Sequence, residues 1–290
     1  MTVLVNLIVA LGMLYAVPAG LRLIDPARLG TAARLWPWAA APGALSPWLP
    51  RGTAATVLAA LYAAAALALL GAAGARLRRR PGRSGGRRLP EPSEVAVLTA
   101  LASPSVAAVA LVAERAGYRL FGFDLDVLAL TVPHFHFAGF TAALVAGLVC
   151  RSASGDHRAR WAAYSVPGGT LLVLAGYFVD DWAELLGAVV LTAGMWTVAL
   201  VTWRELRAAA PDRTSGALLA SSAAVLVATM LLALWWAAGE ATGIVHPTLT
   251  WMAATHGLGN ALGFALCSLL AWRRLGAGRA PDARPAPART

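Results

Sequence analysis

The sequence predicts an all-α protein, a polytopic membrane helix bundle with about nine transmembrane spans. Of its 290 residues, 59% are hydrophobic and only 13% are charged, and the mean hydropathy is +0.65. A soluble domain of this length exposes far more charge. All 24 basic residues are arginines, and they cluster in short loops between apolar runs. Such separated clusters are typical of topology signals, and they exclude the continuous basic face on which a nucleic-acid-binding protein depends.

Apolar segments long enough to cross a bilayer recur along the whole chain. A transmembrane helix needs roughly 20 apolar residues. By that measure the predicted spans are 2–22, 31–48, 53–75, 94–113, 126–150, 162–180, 183–203, 215–238 and 247–272. The first is predicted to be a retained span and no signal peptide, because Arg22 and Arg28 follow the apolar run instead of preceding it. The second contains Pro37, Pro42 and Pro47, which predicts a broken or partly re-entrant helix that is tolerated only if it is buried against its neighbours.

The placement of the arginines predicts the orientation in the membrane. Under this assignment only Arg51, Arg115 and Arg119 lie on one side, and the other arginines lie on the opposite side. Cytoplasmic loops are the ones rich in arginine. The N-terminus is therefore predicted outside and the C-terminus in the cytoplasm, as in a multi-pass protein of the bacterial plasma membrane.

The domain organisation follows from the same assignment of spans and loops. Residues 1–275 are predicted to form a single transmembrane bundle, with a basic cytoplasmic loop at 76–94. The tail 276–290 alternates Ala, Pro and Arg without an apolar period, which predicts disorder. Small residues permit close approach of helices. The fifth, sixth and ninth spans are glycine-rich, and we expect them to pack tightly together.

The stretch TVPHFHFAGF at 131–140 places two histidines inside an apolar span. Lipid offers an imidazole no hydrogen-bond partner, so ionisable groups within a membrane usually face the bundle interior and mark function. Counted from Asp126, His134 lies roughly 12 Å into the fifth span. In the ninth span His256 lies at nearly the same depth. The two histidines are therefore predicted at one level, in the outer half of the membrane.

The spacing of these polar residues limits which of them can meet. His256 and Asn260 are four residues apart and share one helix face. His134 and His136 are two apart, about 200° around an ideal helix, so they cannot both point into one pocket. A break at Pro133 would change this geometry. Which of the two histidines faces the pocket stays open at this point.

Acidic residues gather on the outer side, near the ends of the same spans. Glu114 and Asp180 lie closest to the apolar boundary, and Tyr177 lies one turn inside Asp180. The inner halves of the spans carry almost no titratable groups. This asymmetry predicts one polar pocket, which opens outward.

Three segments resemble the YndJ-like family of bacterial membrane proteins. They are LTVPHFHFAGF at 130–140, HGLGNALGF at 256–264 and AVPAGLRLI at 16–24. The resemblance extends over nearly the whole chain, although the linking Ala/Leu spans are of low specificity. That family carries no established biochemical activity, so the resemblance supports the site more than any reaction.

These residues together favour a membrane enzyme that acts on a lipophilic small molecule by acid–base isomerisation or cyclisation. The candidate catalytic residues are His134, His136, His256, Asn260, Asp180 and Glu114. The candidate substrate-binding residues are Phe135, Phe137, Tyr177 and Trp251. Histidine exchanges protons near neutrality, and such reactions need no soluble cofactor. The expected partners are membrane lipid and the lipophilic substrate.

Two other functional classes stay open. A metal or haem would take its ligands from His134, His136 and His256, as imidazoles on separate spans can provide axial or first-shell nitrogens. A small-molecule transporter would use the outward pocket, but the inner halves lack the polar residues for the rest of a path. The sequence specifies neither the substrate nor the oligomeric state.

Overall fold

The computed structural model describes residues 2–79, 90–153 and 155–277, and over these residues the protein is helical without strands. The long helices are α1 (Val3–Ile24), α2 (Pro26–Leu45), α3 (Thr53–Arg78), α4 (Pro92–Arg115), α5 (Leu125–Ser152), α6 (His157–Gly176), α7 (Asp181–Leu206), α8 (Arg213–Thr242) and α9 (Leu249–Gly276). Short 3-10 turns lie at Ser46–Trp48 and Leu120–Gly122. Within the described residues, seven of these helices, all except α2 and α6, are long and apolar enough to cross a membrane. The all-α membrane bundle is confirmed, and about nine spans is consistent with these helices.

The second span differs in detail from its prediction. Helix α2 begins at Pro26, so Arg34 lies within the helix, and the helix runs through Pro37 and Pro42 without a break. The helix is held against its neighbours, since the Trp36 side chain on it is buried and donates a hydrogen bond to α1. The chain turns only at Ser46–Trp48. Residues 80–89 of the predicted basic loop and 278–290 of the predicted disordered tail lie outside the described residues.

Helix α5 lies at the centre of the bundle. In its most apolar segment, 83% is buried inside the protein, compared with 28% in the corresponding segment of α3. It contacts α1, α4, α6 and α9 along its length. Its polar side chains therefore meet other protein groups, and the histidine motif that it carries is held in the interior.

An ion-pair cluster joins helices at the predicted cytoplasmic end. The Arg76 guanidinium donates to both carboxylate oxygens of Glu94, at 2.6 and 3.0 Å, and lies 3.7 Å from Asp25. Asp25 also caps α2 by accepting from the backbone N–H of Arg28 at 3.1 Å. Because Asp25 separates α1 from α2, this cluster fixes the α1–α2 corner against α3 and α4.

Glycines bring α6 and α7 into backbone contact. A Cβ placed on Gly169 would lie 2.5 Å from the backbone of Leu191, and one on Gly187 would lie 2.4 Å from the backbone of Val173. In α9, by contrast, Gly259 and Gly263 face side chains of α8. The fifth span contacts the sixth and the ninth as expected, but the glycines of the sixth and ninth spans make their close contacts with α7 and α8. Small residues permit a close approach, but they do not specify the partner.

Gly169→Ala is expected to destabilise the protein by about 1–3 kcal/mol, because the added methyl group meets backbone that cannot rotate away. Gly168→Ala is the matched control, since a Cβ there has open space. Unfolding of both variants in detergent, followed by circular dichroism, measures the difference. Equal midpoints for the two variants would contradict the close packing of α6 on α7.

Candidate functional site

The histidine motif lies where α5 changes its hydrogen-bonding pattern. The helix is α-helical over Leu125–His134, π-helical over Phe135–Thr141 and α-helical again to Ser152. The Thr141 hydroxyl donates to the carbonyl of His136 at 2.9 Å. Pro133, which has no N–H to donate, lies two residues before the start of the π-helical turn. Single π-helical turns inside α-helices occur frequently at functional sites.

His136 is fully buried, and both of its ring nitrogens are bonded. Nδ1 lies 2.7 Å from the carbonyl oxygen of Val132, and Nε2 lies 2.6 Å from the Tyr62 hydroxyl. A carbonyl only accepts, so Nδ1 carries the proton and Nε2 accepts the hydrogen bond that Tyr62 donates. The ring also abuts Gly12, where a Cβ would come within 2.8 Å of the His136 Cβ. His136 therefore links α5 to α3 and α1 and has no free nitrogen for a substrate.

The Tyr62 ring is fixed from its other sides as well. Trp36 of α2 meets it edge-on, with ring centroids 6.0 Å apart, and Gly43 leaves room for its Cβ. The Trp36 indole N–H donates to the carbonyl of Met13 at 2.9 Å. Met13 belongs to a second π-helical turn, Gly12–Ala16 of α1. A chain of contacts thus runs from α1 through α2 and α3 to α5.

A third helix, α9, carries π-helical turns in the same region. We call this region, where α1, α5 and α9 meet beside His134, His136 and His256, the histidine junction. In α9 they cover Ala253–Gly257 and Gly259–Leu266. The π-helical segments of α1, α5 and α9 contact one another. Three helices with altered ladders therefore meet in the region of the predicted site, and two of these segments lie within or directly beside the histidine motifs.

His256 is held between α9 and α8. Its Nδ1 lies 2.8 Å from the Thr229 carbonyl, so Nδ1 is the donor and Nε2 the acceptor. Asn260 approaches Nε2 with its amide nitrogen at 3.1 Å. The Asn260 side-chain oxygen in turn accepts from the Thr229 hydroxyl at 2.8 Å. The prediction that His256 and Asn260 share a face is confirmed by this contact.

His134 is the histidine of this region without a hydrogen bond. The described residues provide no hydrogen-bond partner for either of its ring nitrogens. Its ring meets Phe135 edge-on at 5.8 Å between centroids, and it lies close enough to His256 for the two to interact electrostatically. It is half-buried, whereas His136 is fully buried. The two histidines therefore point to different partners, as their separation around the helix predicts.

The two acidic candidates lie elsewhere, in structural roles. Glu114 is buried and forms ion pairs with Arg115 and with Arg51, whose Nε lies 2.9 Å from it. The carboxylate of Asp180 accepts from the backbone N–H of Ala183 at 2.8 Å and caps α7. Neither carboxylate is bonded to a histidine of the junction.

The aromatic candidates are divided between core and surface. Phe135 and Phe137 are buried in the core beside the histidines. Tyr177 is half-exposed and meets Phe123 edge-on. Trp251 is exposed on α9, with its ring edge-on to Trp235. Of the four, only Phe135 touches an unbonded histidine.

Two polar partners of the histidines were missed by sequence reasoning. They are Tyr62 and Thr229. Tyr62 had one visible signal, because it is the one polar side chain between Val57 and Ala75. A hydroxyl in the middle of a lipid-spanning segment needs a partner. Thr229 carried no comparable signal, since threonines bond to their own helix in many spans.

The described part of the chain contains no group of three or more His, Cys, Asp or Glu side chains arranged to hold a metal ion. His136 is turned toward Tyr62, so the three histidines that the sequence offered as ligands do not converge. His256 is engaged by the Thr229 carbonyl and by the Asn260 amide.

The apolar helices and their buried polar junction define the class of an integral membrane helix bundle. Residues 7–264 match the family described as YndJ-like protein, and the chain belongs to this family. It is similar to the uncharacterized membrane protein YndJ of Bacillus subtilis (strain 168), with 26% identity over 163 residues. That alignment covers 56% of this chain and 29% of the relative, so the chain spans less than a third of that protein's length. No solved structure matches the chain.

Proposed function

We propose that this protein is a membrane enzyme that isomerises or cyclises a lipophilic small molecule by proton transfer, with His134 as the group that exchanges the proton. The observation that carries this proposal is the imidazole of His134, within the membrane-spanning part of α5, to which the described residues provide no hydrogen bond. An unpaired polar group in such surroundings costs free energy, and proteins keep such groups where they serve function. The other two histidines of the region already have fixed partners.

The surroundings of His134 suit proton transfer. A neutral imidazole accepts a proton at one nitrogen and later returns it, which is what an isomerisation requires. The base breaks a C–H bond at one carbon of the substrate and delivers the same proton to another, so neither oxidant nor reductant is consumed. The neighbouring His256, held by Thr229 and Asn260, provides oriented polar groups beside the charge that develops.

The neighbouring aromatic groups support a hydrophobic substrate. Phe135 lies directly against the His134 ring, and an aromatic face stabilises a cationic intermediate. The exposed Trp251 with Trp235 provides apolar surface on the lipid-facing side of α8 and α9. In this proposal, a substrate dissolved in the bilayer contacts this aromatic surface first. Glu114 and Asp180 are outside this proposal, because an ion-pair cluster and a helix cap already engage them.

His134→Ala is expected to reduce turnover by a factor of about 10²–10⁴, the usual contribution of a general base. Lipid-soluble extracts of cells that express the wild-type protein are compared by mass spectrometry with extracts of cells that express the variant. Compounds that differ are then offered to the purified protein in lipid nanodiscs. His157→Ala, at an exposed position outside the junction, is the matched control.

Two outcomes would overturn the proposal. One is an identical set of metabolites for wild type, His134→Ala and His256→Ala, with all three proteins folded and equally abundant. The other is a stoichiometric metal, or a haem absorption band, in the purified wild-type protein that disappears in His134→Ala. That second result would assign His134 as a ligand instead of a base.

A further inference from the structure

A second polar feature lies at the predicted cytoplasmic end, where α7 passes into α8. A pocket of about 440 Å³ lies there. It is lined by Arg207, Ala210, Asp212, Arg213, Gly216, Ala217 and Ala220. Arginines and one aspartate form its rim, and the other lining residues are glycine and alanine. The pocket thus has a charged mouth and a smooth apolar floor.

The charge at the mouth is positive, because the aspartate is already engaged. Asp212 accepts from the backbone N–H of Ser215 at 2.9 Å and from its hydroxyl at 2.8 Å, and it is paired with Arg274 at 3.2 Å. The Ser215 N–H is the main cause that holds the pKa of the Asp212 carboxyl below its ordinary value. Asp212 is therefore ionised and neutralised by Arg274.

The two pocket arginines are not neutralised in this way. Arg207 and Arg213 are exposed, and within the described residues neither forms an ion pair with a carboxylate. The guanidinium of Arg207 lies over the Trp203 ring, 4.4 Å from its centroid, which orients it. Two guanidinium groups on one small pocket provide a fork geometry that matches phosphate oxygens.

The floor continues from this mouth along α8. Gly216, Ala217 and Ala220 follow Arg213 at three, four and seven residues, which places them on one face of the helix. At Gly216 a Cβ would have only Ala210 and the Arg207 carbonyl nearby, at 3.7 and 3.9 Å. This face runs from the charged end of α8 toward the apolar part of the helix. Because its residues are glycine and alanine, it forms a shallow groove.

We propose that this pocket binds an anionic phospholipid of the cytoplasmic leaflet. Its phosphate lies between Arg207 and Arg213, and one acyl chain lies along Gly216, Ala217 and Ala220. Charge complementarity selects the lipid class, because the cytoplasmic leaflet presents anionic headgroups to basic residues at helix ends. The site is separate from the histidine junction and does not depend on the proposed enzymatic reaction.

The charge requirement is tested with the full-length protein in detergent by native mass spectrometry, with phosphatidylglycerol and phosphatidylcholine as probes. The wild type is expected to bind phosphatidylglycerol more tightly, and Arg207→Gln with Arg213→Gln to bind it roughly tenfold more weakly. Arg78→Gln with Arg79→Gln removes the same charge from two other exposed positions at the same predicted end and is the matched control. Equal phosphatidylglycerol affinities for the two double variants would overturn the proposal.

The acyl-chain requirement needs a separate arm. Ala217→Trp fills the floor without changing the charge, and we expect it to weaken phosphatidylglycerol binding while binding of soluble glycerol phosphate is unchanged. If Ala217→Trp binds phosphatidylglycerol like the wild type, the chain does not lie on this face and the proposed site is wrong. If glycerol phosphate binds the wild type as tightly as the lipid does, the pocket is a site for a free phosphate compound, which also contradicts the proposal. Circular dichroism confirms that each variant is folded.

Discussion

Glu114→Gln is expected to lower the free energy of unfolding by about 3–5 kcal/mol, the cost of leaving a buried charge without its partner. Glu114 is 1% exposed and Arg115 is 8% exposed, and the two side chains are paired at the predicted outer end of α4. The Arg115 guanidinium also donates to the carbonyls of Ser46 and Leu49, at 3.4 and 3.1 Å. The cluster therefore connects the end of α4 to the turn between α2 and α3.

The exposed pair Arg119–Asp124 provides the control for this prediction. Its side chains are 62% and 74% exposed, although Nη2 lies only 2.5 Å from the carboxylate. Asp124→Asn is expected to cost less than about 1 kcal/mol, since water screens an exposed pair. Thermal unfolding in detergent measures both variants. A shift for Glu114→Gln no larger than that for Asp124→Asn would show that the Glu114 charge is not buried.

A further variant separates loss of the pair from loss of the residue. Replacing Glu114 and Arg115 together by methionine removes both charges, and such apolar replacements of buried pairs are often neutral. We expect this double variant to be more stable than Glu114→Gln alone. That result would show that Glu114→Gln destabilises the protein because it leaves Arg115 unpaired, and not because position 114 tolerates no substitution.

The depth of the histidines was predictable from the sequence, and so was their divergence. Hydropathy fixes where a span begins, and a constant rise per residue then places His134 and His256 at one level. Helical geometry separates His134 from His136 around the axis. The structure agrees on the divergence, because His136 points to Tyr62 while His134 interacts with His256; the common depth in the membrane stays a prediction.

The partners of these helices were not predictable in the same way. Hydrophobic periodicity is weak in a span that is apolar all round, so the sequence does not indicate which face meets which neighbour. Gly169 was visible as a small residue, but its partner Leu191 was not. Glu114 was visible as a carboxylate near the apolar boundary, and its two arginines were read only as topology signals. Tertiary packing decided both cases.

The π-helical turn beside the two histidines of α5 was not predictable from the sequence. An ideal α-helix through residues 131–140 would direct only one of them toward a given partner, and Pro133 was the sole hint of a change. In the structure the wider turn Phe135–Thr141 meets the corresponding turns of α1 and α9. No propensity scale marks such turns, because they arise from packing among helices.

His136→Ala is expected to destabilise the protein by about 3–5 kcal/mol. The substitution leaves a cavity in the packed core and removes the acceptor of the Tyr62 hydroxyl, which is itself fully buried. Gly12 and Val132 lose their contacts with the ring as well. Unfolding in detergent by heat or by increasing sodium dodecyl sulfate measures the loss.

His134→Ala, two residues away, is the matched control because it removes the same side chain from the same helix. Its ring has no hydrogen bond within the described residues, so we expect a change in stability below about 1 kcal/mol, together with the loss of turnover argued above. Tyr62→Phe removes only the donor of the buried bond, and its effect combined with His136→Ala should be smaller than the sum of the two single effects. Additive effects would show that Tyr62 and His136 do not interact. A His134→Ala variant that unfolds as readily as His136→Ala would assign His134 to the packed core and remove the basis for its role in proton transfer.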